Sequence, residues 1–100
     1  MEDLGSPVAY TALAEGTPVH DRNGRRVGVV EHVLADTDVD IFHGLVIHTK
    51  PVPRRHLYAD ADQIAELHEG GVLLAVEEGD LPEPSASTTR RAWHWISNRR

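Results

Sequence analysis

The stretch Thr17–Asp36, TPVHDRNGRRVGVVEHVLAD, decides the fold. A short apolar run, Pro18-Val19-His20, leads into Asp21-Arg22-Asn23-Gly24 and then into a β-branched run from Arg25 to Leu34. Asn-Gly supplies the two positive-φ positions of a tight two-residue turn, so two antiparallel strands are expected on either side of it. Within the second strand Val27 and Val29 alternate with Arg26 and Gly28, which places both valines on one face. The alternation slips at Val29-Val30, and a bulge or a bend near Val30 accounts for it. Gly28, in mid-strand, fits a sharp bend or a close backbone approach.

Working outward, Asp36-Thr37-Asp38-Val39-Asp40 reads as a polar turn and Ile41–Thr49 as the next strand. Leu45 and Ile47 share one face of that strand, Val46 and His48 the other. Lys50-Pro51-Val52-Pro53 is a rigid connection, because neither proline donates to a ladder. Arg55–Ala59 forms a further strand, and Gly71–Val76 another, with Val72, Leu74 and Val76 on one face. Residues 60–69 are open to two readings. Asp60 and Gln63 form a capping pair, and Ile64 and Leu67 are spaced for a helix. The same letters allow one turn followed by a strand.

The ordered set Gly16, Pro18, Val19, Asp21, Gly24, Val27, Gly28, Val29, His32, Val33 and Leu34, followed by Gly44, Leu45, Val46 and Ile47, resembles the PRC-barrel domain. Leu57–Leu67 is similar to that family's third block. The resemblance runs from about Leu13 to about Val76. It implies an all-β fold, a small antiparallel β-barrel of about six strands in which residues 64–68 are a strand after a turn. Residues 1–12 are then an N-terminal extension or edge strand, 13–80 the barrel, and 81–100 a linker with a flexible or helical C-terminal arm. Members of the family occur in the H subunit of photosynthetic reaction centres, in a ribosome-maturation factor, in an archaeal cell-division protein and as free-standing domains. What they share is protein contact. The membrane helix, second domain and coiled coil of those longer proteins have no counterpart in this sequence, so no single member's role carries over.

Composition narrows the function classes. The 100 residues contain no cysteine, which removes disulfides, thiol chemistry and thiolate metal sites. No signal peptide and no apolar run long enough to span a membrane is visible, so a cytoplasmic protein is expected. All 16 acidic residues lie in residues 1–84, beside six of the ten basic ones. So acidic a body repels a phosphate backbone, and nucleic-acid binding is disfavoured for the barrel. Beyond Pro84 the sign reverses. Arg90, Arg91, Arg99 and Arg100 surround Trp93 and Trp95, with no acid among them. Exposed Trp and Arg dominate binding hot spots, which makes Arg90, Arg91, Trp93, Trp95 and Ile96 protein-binding candidates. The same tail is the route to a second reading, a ribosome- or RNA-associated accessory factor.

No catalytic constellation and no cofactor motif is visible. Ser6, Ser85, Ser87 and Ser97 lack a nucleophile elbow, and the 36–40 turn lacks the glycine and distal glutamate of a calcium loop. Seven histidines in 100 residues is high. His32, His43 and His48 sit on strands expected to pair. With a carboxylate such as Glu31 or Asp40 they are weak candidates for a metal site, the third reading, although no ligand spacing supports it. The expectation is a non-catalytic protein-interaction or assembly module, with a protein partner of unknown identity and self-association through exposed strand edges as an open option.

Overall fold

The structure is a computed structural model that describes residues 4–49 and 55–82. Six strands make one sheet: β1 (Pro18–His20), β2 (Arg26–Asp36), β3 (Ile41–Thr49), β4 (His56–Asp60), β5 (Ile64–His68) and β6 (Gly71–Leu74). They lie in the order β4-β3-β2-β1-β6-β5. Among the described residues the only helical segments are short 3₁₀ turns, and no helix is long and apolar enough to cross a membrane.

One feature of the expected sheet is corrected. It is mixed, because β1 runs parallel to β6, with Val19 beside Val72 and His20 beside Leu73. All the other ladders are antiparallel. β4 and β5 both run opposite to β1, so the chain does not reverse between them, and the next reversal brings β6 in along β1. Pairing stops at β4 and β5, and no ladder joins them. These two end strands are nevertheless linked by only Ala61–Gln63, a single 3₁₀ turn. The chain thus passes from one end strand of the sheet to the other within three residues, while no ladder closes the sheet into a barrel.

Strand pairing settles the two readings of residues 60–69. Gln63 Oε1 accepts the Asp60 amide at 3.0 Å, which holds the turn. Ile64 then enters β5 and pairs with Leu74, and Leu67 with Val72. Helical spacing of Ile64 and Leu67 yields to the ladder, since one turn of helix cannot bury what two paired strands bury.

The 21–24 turn also differs from expectation. Gly24 has φ 83°, but Asn23 does not share the positive-φ region. The buried Asp21 carboxylate accepts the amides of Asn23 at 2.9 Å and Arg25 at 3.0 Å. Gly24 N–H bonds Asp21 O at 2.9 Å. The loop is thus a three-residue turn, closed by the Asp21 N–H bonding Arg25 O at 2.9 Å. Beyond it the register steps between Val19 and His20. Val27 is the extra residue on β2. It turns inward, and the residue that follows it into the core is Val30 (1% exposed). Val29 is half-buried on the other face, paired with His48, so the expected Val27/Val29 face is broken by the bulge. A second bulge does occur next to Val30, at Glu31.

The inner face gathers one core. Val19, Leu45, Ile47, Leu57, Ala59 and Val72 are fully buried, joined by Leu13, Val27, Val30, Leu74 and Leu81. Each Val, Leu or Ile among them contributes roughly 1.5–3 kcal/mol of transfer free energy. Strand alternation sends Val46 to the opposite face, where it packs with Leu34 and Tyr58. The Tyr58 hydroxyl donates to His43 O at 3.0 Å. Leu4–Val8 runs antiparallel along β5, with Gly70 N–H bonding Leu4 O at 2.8 Å and Val8 N–H bonding Leu67 O at 3.0 Å. At the other end Tyr58 N–H bonds Pro82 O at 2.8 Å. Both edge strands thus carry a neighbour, which blunts strand-to-strand aggregation.

Candidate functional site

Residues 9–17 are stitched onto β2 and leave a groove between them. A 3₁₀ turn at Tyr10–Ala12 delivers Leu13 into the core, where it is buried. Gly16 N–H then bonds Val30 O at 2.7 Å, and Val30 N–H bonds Thr17 O at 2.9 Å. The Thr17 hydroxyl closes the segment on Ala14 O at 2.6 Å. Tyr10, Leu13, Glu15, Val33, Ala35 and Thr37 line a groove of about 460 Å³. It lies on the surface, outside the packed core.

Tyr10 carries the groove's lining into an aromatic and acidic cluster. Tyr10 stacks on Phe42 with ring centroids 5.3 Å apart and planes 13° from parallel. Its hydroxyl donates to Asp40 Oδ1 at 2.5 Å. Asp40 has φ 54°, a left-handed conformation that Asp tolerates better than most residues. The same turn exposes Val39 (60%) and Ile41 (47%), the exposed large hydrophobics among the described residues. Glu15 and the 36–40 aspartates add negative charge around these apolar groups.

The hydrogen bond to Asp40, and after it partial desolvation and the Asp40 and Asp36 charges, push the Tyr10 phenol up to about 12. The protonated phenol is thus favoured by the fold, so the contribution is complete below pH 10 and is lost as pH rises from about 10 to about 12. Of the two tyrosines, Tyr10 accordingly titrates at about pH 12 in a tyrosinate absorbance titration. Asp40→Asn lowers that midpoint towards 10. A Tyr10 midpoint already near 10 in the wild-type protein contradicts the contact.

The histidines are distributed by the sheet. His32 Nδ1 lies 3.5 Å from Glu15 Oε2, and His48 Nδ1 lies 3.5 Å from Glu31 Oε2. His32 and His48 are thus directed to different carboxylates. His43 is the extra residue of a bulge in β3, and its carbonyl serves Tyr58. Among the described residues no three His or acidic side chains converge as ligands to a metal. His68 Nδ1–H donates to Gly5 O at 2.9 Å, and Nε2 bonds Glu66 Oε1 at 2.6 Å. His20 Nδ1 is buried with no hydrogen-bond partner among the described residues.

Sequence reasoning missed the true neighbour of His48. It is His56, directly opposite on β4, with ring centroids 5.1 Å apart and planes 17° from parallel. A signal existed: the two residues are equidistant from Val52, at the centre of the Pro-bounded connection. The aromatic groove was missed altogether, because Tyr10 and Phe42 are 32 positions apart in the chain. Arg90, Arg91, Trp93, Trp95 and Ile96 lie outside the described residues. No protein-family model matches the chain, and no curated protein matches it either.

Proposed function

We propose that this chain is a non-catalytic protein-interaction or assembly module of the PRC-barrel type, working in the cytoplasm. The observation that carries the reading is the surface at the β2–β3 turn. Exposed Val39 and Ile41 flank Asp40, which the Tyr10 hydroxyl bonds, and Tyr10 both stacks on Phe42 and lines the groove. Apolar and aromatic groups grouped on a surface and rimmed by charge are the composition of a contact site. Acidic neighbours suit a partner segment with apolar and basic side chains. The barrel reading has separate support in the order of strands and in the three-residue β4–β5 link between the two end strands.

The test is an untagged pull-down from the native cell with three baits: the full chain, Val39→Asp/Ile41→Asp, and a chain ending at Pro84. The proposal expects a protein enriched on the full chain and lost from the doubly substituted bait, whose exposed positions leave the fold intact. Loss on truncation would assign the tail to the same contact. Identical protein sets on the full chain and the doubly substituted bait would reject the turn as the contact surface.

A further inference from the structure

We infer that His48 and His56, backed by Glu31, form a binding site for one divalent first-row transition-metal ion of the Zn(II) type on the outer face of the sheet. Three adjacent strands supply the set: Val29 is the residue of β2 opposite His48, and Glu31 lies two positions beyond it. β3 contributes His48, β4 contributes His56 directly opposite, and the bulge in β2 contributes Glu31. A bulge re-aims a side chain out of the regular pleat. Here it brings the Glu31 carboxylate to 3.5 Å from His48 Nδ1.

That placement has a chemical meaning. A ligating imidazole commonly turns its second nitrogen to a carboxylate, which fixes tautomer and ring orientation and raises ligand basicity. With Nδ1 of His48 facing Glu31, Nε2 is the nitrogen left to bind a metal. The second ligand is a ring nitrogen of His56, held in register by the ladder. The ring centroids are 5.1 Å apart, whereas two nitrogens bound at about 2.0–2.1 Å to one ion stand roughly 3 Å apart. His56 is exposed, so rotation of its side chain can close the difference, while His48 is held by its half-buried position. Water completes the coordination. Two protein ligands with a carboxylate behind one of them agree with the finding that no three ligating side chains converge. A net charge of −6 favours any cation, but the paired imidazoles select the borderline metals over calcium and magnesium, which take oxygen ligands.

Calorimetric titration of the untagged full chain, stripped with chelator, with Zn(II) tests this. One saturable equivalent is expected, with the imidazole NMR signals of His48 and His56 shifting together. His56→Asn, at an exposed position, abolishes that phase. Glu31→Gln weakens it by about tenfold to a hundredfold, while His32→Asn and His43→Asn leave it unchanged. Absence of a saturable phase in the wild-type protein, or its persistence in His48→Asn/His56→Asn, overturns the site.

Discussion

Replacing Gly44 by alanine is expected to destabilise the protein by roughly 2–6 kcal/mol, the sum of positive-φ strain and overpacking. Gly44 sits in β3 at φ 153°. A Cβ there would lie 2.2 Å from Ala59 O and 3.0 Å from the Tyr58 hydroxyl oxygen. The first contact is with backbone, which cannot swing aside without breaking the β3–β4 ladder at Gly44–Asp60 and Leu45–Ala59. The second displaces the hydroxyl that donates to His43 O. Small domains have only about 5–15 kcal/mol in total, so a substantial share of the stability goes. Urea denaturation measures it as a lower midpoint at unchanged slope. A loss below about 0.5 kcal/mol, the range of inert surface substitutions, would mean that β3 and β4 are not packed this closely.

The second large effect lies on the other side of the same strand. Leu45→Ala should cost about 2–5 kcal/mol through lost transfer free energy and the cavity left behind. Leu45 is fully buried and paired with Val33 and Ala59, among neighbours that are themselves locked in ladders. Such walls collapse little. Ile41→Ala, at the exposed start of the same strand, should stay within about 0.5 kcal/mol. Equal effects at the two positions would contradict a side-chain-filled inner face.

Much of this architecture was legible from short-range chemistry. The Leu45/Ile47 face, the Val72/Leu74 face and the irregularity next to Val30 follow from period-two patterning and its interruption. What patterning cannot encode is which strand meets which. The parallel β1–β6 pairing joins residues more than 50 positions apart, and no local feature of Val19 or Val72 announces it. The Asn23-Gly24 turn was misjudged for a different reason. The Asp21 carboxylate captures two amides of the loop and selects a longer turn than the dipeptide alone would choose. Residues 64–68 went against their helical spacing because β6 offers a ladder. The candidate site was less legible than the fold. It is assembled across the register, as the Tyr10–Phe42 and His48–His56 pairs both show.

On this reading contact is made at the surface around the β2–β3 turn, and the interior serves only to hold that surface in place. Amide shift mapping tests this most directly, with the ¹⁵N-labelled full chain titrated with the protein captured in the pull-down. The account predicts perturbations concentrated on residues 10–15 and 33–42, with Val19, Leu57 and Val72 unmoved. Perturbations confined to β5 and the Leu4–Val8 segment, with the Tyr10 and Ile41 amides silent, would contradict it.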